Sequence, residues 1–298
     1  MPPLVSLTEL VALERIAAVT GAGGFVGSRI VEGMVQLGWQ VRAFTSRPVS
    51  RPPGASVTLV PCDWSVEQFA DAIASIRDAI LWIHAAALVD FSAEAALELY
   101  RANALLTDKL ASHVACLVQE CRLVYLSTIS VYGQSQVLSP EAEPEPDTHY
   151  GLSKLLGERL CFARLGSRCL TLRLPGVWGR EDPPKLFVNK CLRKAAAGEA
   201  LRISGKGQAR RNYLWVGDLV PVISSAYLEK RNGVLLLGSP ECSSLREMVE
   251  AIAEKTGVAV EADPRNGPVV ERDMILPTSP GLTMTPFREA LAVELARS

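Results

Sequence analysis

Residues 150–154 read Tyr-Gly-Leu-Ser-Lys. On a helix, Tyr150 and Lys154 share one face, with Cβ atoms roughly 5–6 Å apart. A phenol ionises near pH ~10, too high for acid–base work near neutrality. An adjacent ammonium favours the phenolate and lowers that value. A phenol tuned this way gives a proton to a carbonyl oxygen as hydride arrives, or takes one from an alcohol as hydride leaves. Thr128 ends an apolar run and is followed by Ser130. Hydroxyls at the carboxyl end of a parallel strand lie where open α/β sheets bind ligands, and Thr128 would donate to the substrate oxygen and fix it. Tyr-x-x-x-Lys arises by chance in many helices, so its meaning depends on what surrounds it.

The stretch Val19-Thr20-Gly21-Ala22-Gly23-Gly24-Phe25-Val26-Gly27 supplies that setting. It reads as strand end, tight turn and helix start. Gly21 can take backbone angles closed to other residues, and Gly24 lets main chain approach a ligand. Gly27 leaves room for helix to press on strand. The helix N-terminus then faces the turn as an anion site suited to a pyrophosphate. The Gly-x-x-Gly-x-x-Gly spacing differs by one residue from the usual dinucleotide fingerprint. With an oxidised nicotinamide held there, its positive charge would join Lys154 in lowering the Tyr150 pKa, and Lys154 would hydrogen-bond the nicotinamide ribose.

The elements that must position these groups follow in order. Strands are expected at 16–19, 40–45, 57–61, 79–84, 122–126 and 168–174, with helices between them over 28–37, from 65, over 94–119 and from 150. This alternation predicts an α/β fold with a doubly wound parallel sheet. Residues 1–14 form an N-terminal extension with a capping box from Ser6 to Glu9, read as a short edge helix. The dinucleotide domain is expected over 15–174, with 213–238 returning to it. Residues 175–212 and 239–298 form a smaller substrate lobe, with helices over 185–198 and 244–255 and a Pro-rich tail.

Cofactor contacts are expected from Gly21, Gly24, Phe25, Val26 and Gly27, and from Ser46 and Arg47 after the second strand. No Asp or Glu occurs from Gly38 to Ser56. An acidic residue there would bind the 2′-hydroxyl of NAD and an Arg would accommodate a 2′-phosphate, so NADP(H) is preferred over NAD(H); the plainer reading of Arg47 is a solvated turn residue. At Asp63-Trp64, Asp63 either accepts from the adenine amino group or caps the following helix. Ala85, Ala86 and Ala87 leave space for a flat ring and ribose. His84 reads as a satisfied buried imidazole, and Asn103 as a polar group on a helix surface rather than part of a relay.

Lys and Arg number 31 and Asp and Glu 32, a net charge of −1, which speaks against nucleic-acid binding through a basic field. Seven cysteines without a Cys-x-x-Cys pair argue for reduced thiols and against a metal site. No apolar run reaches the ~18 residues of a membrane helix, and no secretion signal is evident. A cytoplasmic protein without membrane partners is expected.

The pattern resembles the extended short-chain dehydrogenase/reductases. The matching residues are the glycine turn over 20–27, His84-Ala85-Ala86, Thr128 four before Tyr132-Gly133, Tyr150-x-x-x-Lys154, Arg173-Leu174-Pro175-Gly176-Val177-Trp178-Gly179 and Val216-Gly217-Asp218. The resemblance implies a Rossmann domain binding NAD(P), a C-terminal lobe over the substrate, and Thr128, Tyr150 and Lys154 as catalytic set. It places Pro175, Gly176 and Val177 beside the nicotinamide and implies a homodimer through helices 94–119 and 150–165. Ile129-Ser130 stands where family dehydratases carry Asp-Glu, which ranks dehydration low. The missing acidic residue after the second strand weakens a sugar-epimerase reading, and the chain is shorter than many nucleotide-sugar members. Arg211 either pairs with a substrate phosphate or carboxylate or is a surface charge. Leu186, Phe187, Tyr213, Trp215 and Met274 line the lobe or belong to its core. The leading function is interconversion of a ketone and a secondary alcohol on a small carbonyl or alcohol substrate. The alternatives are an NAD(P)-dependent nucleotide-sugar epimerase and a non-catalytic dinucleotide sensor.

Overall fold

The computed structural model describes residues 15–46, 54–133, 138–180, 186–263, 273–277 and 281–296. The edge helix read over 1–14 and the expected role of Arg47 lie outside the described residues.

Seven parallel strands form the central sheet. They are β1 (Ile16–Thr20), β2 (Gln40–Thr45), β3 (Val57–Pro61), β4 (Leu81–His84), β5 (Arg122–Thr128), β6 (Cys169–Leu174) and β11 (Gly233–Leu236), in the order β11-β6-β5-β4-β1-β2-β3. Side chains alternate faces along a strand. Ala17, Val19, Val41 and Ile83 therefore pack under α1 (Phe25–Gln36) and α7 (Leu219–Leu228). Ile16, Ala18, Phe44 and Trp82 pack under α2 (Val66–Ala74), α4 (Leu106–Ala115) and α5 (His149–Leu165). Both faces are covered, which explains why these strands read as continuous apolar runs rather than alternating ones. The strand order reverses between β1 and β4, and open α/β sheets bind ligands at that carboxyl-edge crevice.

The helix expected over 94–119 is three pieces: α3 (Ala96–Tyr100), a π-helical turn (Arg101–Leu105) and α4. The extra residue of such a turn re-aims side chains, and here Asn103 points inward, fully buried.

The lobe is built around α6 (Phe187–Ala196), α8 (Leu245–Thr256) and α9 (Phe287–Ala296). Short ladders stitch it: β7 (Val177–Trp178) with β10 (Leu214–Trp215), β8 (Leu201–Ile203) with β13 (Val260–Ala262), and β9 (Arg210–Arg211) with β12 (Ser243–Ser244). Helix α8 opens on a capping box, Ser244 and Glu247 bonding each other's backbone; the box read from Ser6 to Glu9 lies outside the described residues. The segment read as a Pro-rich tail instead carries α9. Asp218 accepts from the backbone N–H and hydroxyl of Thr285 at 3.0 and 2.6 Å, just before α9. In the last turn of α9, Glu294 accepts from Arg29 of α1 at 3.0 Å, the Arg180 N–H at 2.7 Å and the Trp215 indole at 2.9 Å. A helix pinned at both ends in this way leaves little signal in local sequence.

Candidate active site

Val19 leads into a turn in which Gly21 has φ 71°, a left-handed conformation that favours glycine. A Cβ on Gly21 would also meet the Ala86 backbone at 2.7 Å, and one on Gly27 would collide with the Gly21 carbonyl. The Gly24 N–H bonds Gly21 O at 2.9 Å, and helix α1 begins at Phe25 with no acidic side chain in its first turn. The first-turn N–H groups of α1 thus face an uncompensated positive helix end, suited to a pyrophosphate. Ala85, Ala86 and Ala87 follow β4 beside this turn, and Ala86 N–H donates to Thr20 Oγ1 at 3.3 Å.

After β3, where adenosine contacts are expected, Asp63 accepts from the Ser65 N–H at 2.8 Å, which holds its carboxyl below the usual range. Ser65 is itself the N-cap of α2. Asp63 thus braces the helix entry without being its cap, and this bond leaves the adenine reading of Asp63 open. Trp64 adopts φ 65°, rare for a bulky residue, and its indole donates to Ser46 Oγ at 3.1 Å.

His84 is fully buried and bonds Thr20 Oγ1 at 2.6 Å and Thr107 Oγ1 at 3.0 Å. Burial, with the nearby Lys154 charge, lowers its pKa to about 3. The Thr107 hydroxyl donates to Asn103 O at 2.8 Å, so it accepts from His84 Nε2–H. The imidazole is neutral and satisfied, as its apolar strand implied. Asn103 departs from expectation. It accepts from the Leu88 N–H and donates to Leu88 O, both at 2.9 Å, and to Ser153 Oγ at 3.0 Å. The Ser153 hydroxyl donates to Tyr150 O at 2.8 Å. A buried chain therefore runs from Thr20, beside the glycine turn, through His84, Thr107, Asn103 and Ser153 to the backbone of Tyr150. The signal that would have placed Asn103 there is the π-helical turn, which no periodicity announces.

Helix α5 starts behind Thr148, whose hydroxyl accepts the Gly151 N–H at 3.0 Å. This fixes the phase that turns Tyr150, Ser153 and Lys154 inward, 8 %, 0 % and 1 % exposed. The Thr128 side chain lies beside Tyr150. Thr128 Oγ1 donates to Ser130 Oγ at 3.2 Å and accepts the Ser130 N–H at 3.1 Å. The Lys154 ammonium lies over the Tyr125 ring, 4.1 Å from its centroid. Burial raises the Tyr150 pKa to about 12, opposed by the neighbouring Thr128 hydroxyl, whereas the expected lowering included the charge of an oxidised nicotinamide. Burial lowers the Lys154 pKa to about 7. Desolvation penalises each charged form and outweighs what sequence spacing alone suggested.

Pro175 and Val177 continue from β6, half-buried, and Val177 pairs with Leu214. A Cβ on Gly176 would meet the Tyr213 ring at 2.7 Å. Tyr213 is hydrogen-bonded by Arg211, whose backbone also forms a bridge with Met274. Phe187, Tyr213, Trp215 and Leu186 pack on the lobe core, and Met274 on the cluster around Tyr132. A groove of about 690 Å³ between α1 and α7, lined by Gly33 and Val220 among others, includes none of the expected site residues. Among the described residues, no group of His, Cys, Asp and Glu is arranged to hold a metal, and no helix is long and apolar enough to cross a membrane.

Residues 17–237 match the model of the NAD dependent epimerase/dehydratase family. A dTDP-6-deoxy-L-talose 4-dehydrogenase (NAD(P)(+)) from Kitasatospora kifunensis is 26% identical over 257 residues, 82% of this chain and 80% of that protein. A UDP-N-acetyl-alpha-D-glucosaminuronate decarboxylase from Bacillus cytotoxicus is 23% identical over 265 residues, 82% of this chain and 81% of the relative. Among solved structures, MoeE5 in complex with UDP-glucose and NAD superposes with a TM-score of 0.77 at 28% identity, covering 95% of this chain and 97% of that one. A seven-strand parallel sheet, a glycine turn and this match over most of the chain place the protein in the NAD-dependent epimerase/dehydratase family, as an enzyme of the extended short-chain dehydrogenase/reductase type.

Proposed function

We propose that the protein interconverts a ketone and a secondary alcohol by hydride transfer with a nicotinamide cofactor, Tyr150 moving the proton. The observation that carries this reading is the convergence of Thr128, Tyr150 and Lys154 at the carboxyl edge of β5. The residues fit the cofactor: a backbone cradle at Gly21–Gly24 for the pyrophosphate, small residues after β4, and a buried ammonium over the Tyr125 ring. Bound, the cofactor supplies the hydride acceptor or donor. Thr128 and Tyr150 bind the substrate oxygen, and Tyr150 holds or takes its proton. Lys154 binds the ribose hydroxyls and favours the phenolate.

A preference for NADP(H) over NAD(H) follows from the lack of acid between Gly38 and Ser56, although MoeE5 holds NAD. The free state of all seven cysteines supports a reducing, cytoplasmic setting. Exposed Leu105 in the π-helical turn and Leu152, Leu156 and Phe162 on α5 support a homodimer through this turn and α5. A second reading, a nucleotide-sugar epimerase, draws on the UDP-glucose of MoeE5 and on Arg211 as a phosphate partner. Titration with NADPH and NADH, then a panel of ketones, alcohols and UDP-sugars, separates them. Net cofactor consumption supports the oxidoreductase, and turnover with none supports the epimerase. Absence of cofactor binding sinks both, and cofactor binding without turnover favours the sensor.

A further inference from the structure

Behind the catalytic face of α5 lies a buried ion pair that the hydride-transfer chemistry does not use. Glu158, one helical turn after Lys154, and Arg173, at the end of β6, have side chains 6 % and 5 % exposed. Arg173 Nη2 donates to Glu158 Oε2 at 2.7 Å, and Nε donates to Oε1 at 3.1 Å. The Ser127 hydroxyl donates to Glu158 Oε1 at 2.5 Å. Arg173 Nη1 donates to the Tyr132 hydroxyl at 2.6 Å, and that O–H donates to Ser139 O at 2.7 Å. Every member therefore sits next to a site-bearing segment. Ser127 precedes Thr128, Tyr132 ends the turn that carries Ser130, Arg173 leads to Pro175 and Val177, and Glu158 shares a helix with Tyr150 and Lys154.

We propose that Glu158 and Arg173 form a positioning pair: they lock α5, β5 and β6 in one register at the crevice and set a carboxylate one turn behind the Lys154 amine. This rests on the reading of Tyr150 and Lys154 as the proton-handling groups. A buried ion pair adds little net stability over an apolar pair of similar size, so joining three elements is what this geometry distinctively achieves. Its charge is also directed. Lys154 faces the neutral His84 from β4 and the Tyr125 ring from β5, with Tyr150, Cys161 and Glu158 on its own helix. On β6, Cys169 packs against Cys161 and Arg173 lies beyond the carboxylate. Cys161 and then Glu158 support the Lys154 charge against burial; the Cys161 thiol is itself held protonated by its Cys169 contact and burial, which leaves the Arg173-paired Glu158 as the carboxylate partner.

The test uses the full chain without cofactor. Glu158→Gln alone leaves the Arg173 guanidinium buried without a counter-charge, so the decisive variant is Glu158→Gln/Arg173→Met, which is neutral and close in volume. The Lys154 side-chain NMR signal, assigned by its loss in Lys154→Met, is followed against pH. In the wild type it titrates near pH 7; in the double variant the midpoint is expected to fall by roughly one pH unit. Glu158→Asp, which keeps the charge but withdraws it by one methylene, is expected to give a smaller fall. An unchanged midpoint in whichever of these variants folds overturns the proposal. If the midpoint moves but no variant and no wild-type preparation turns over a substrate, the positioning pair stands and the hydride-transfer reading falls.

Discussion

At the glycine turn the ligand-facing groups are backbone: Gly21 at φ 71° against Ala86, and the open N–H groups of α1. Across the crevice at α5 they are side chains, a phenol and an ammonium almost fully removed from water. Backbone donors carry fixed partial charges that hardly respond to their surroundings. Ionisable side chains do respond, and here burial moves Tyr150 and Lys154 toward neutrality. The first half is ready before its ligand arrives. The second would gain its working charge, on the proposed function, from a cationic nicotinamide ring and ribose hydroxyls brought against it.

This contrast can be broken by substitutions on either side. Lys154→Met is expected to lower turnover by about 10²- to 10³-fold, with a smaller loss of cofactor affinity, measured by initial rates and by nicotinamide fluorescence. Gly21→Val puts a branched side chain at positive φ against the Ala86 backbone. It is expected to weaken cofactor binding by about tenfold or more, with kcat at saturating cofactor reduced less. If Gly21→Val instead left affinity intact, the anion-cradle half of the comparison would fail.

The pH dependence of stability sharpens the comparison. Lys154 titrates near 7 when folded and near ~10.5 when unfolded, so the unfolded chain binds more protons between these values. This residue therefore makes stability rise with pH across that window, by an amount on the order of a few kcal/mol. Tyr150, raised to about 12, works in the opposite sense and makes stability fall above pH ~10. His84 stays neutral to about 3, so its contribution is lost as pH drops below ~6.5. Urea unfolding of wild type and Lys154→Met from neutral to alkaline pH is expected to show a shallower rise in the variant. The smallest effect belongs to Asp63→Asn. Its exposed side chain bonds one backbone N–H, and the smallest shift in thermal midpoint of this set is expected.

Much of this was legible in the chain itself. Buried parallel strands are short apolar runs, and a left-handed turn before a helix demands glycine, so β1 to β6 and the turn at Gly21 stand out. The pair Tyr150 and Lys154 was legible because helical spacing fixes which residues share a face. The π-helical turn around Asn103 was not, since one inserted residue changes the phase without changing composition. Helix α9 was hidden for another reason. Its position depends on Asp218 and on the three donors to Glu294, contacts made across long separations in sequence. The direction of the Tyr150 shift was unreadable as well, because spacing reveals a neighbouring charge but not the water that both groups lose.

The most direct test is a single-turnover measurement of nicotinamide oxidation or reduction in wild type and Tyr150→Phe, each with saturating cofactor and the best substrate of the panel. Removing the one hydroxyl leaves the ring, the Phe91 contact and the cofactor cradle in place. Cofactor affinity within a few-fold of wild type, with hydride transfer slowed by about a thousandfold, is the predicted result. Hydride transfer at the wild-type rate in Tyr150→Phe would contradict it.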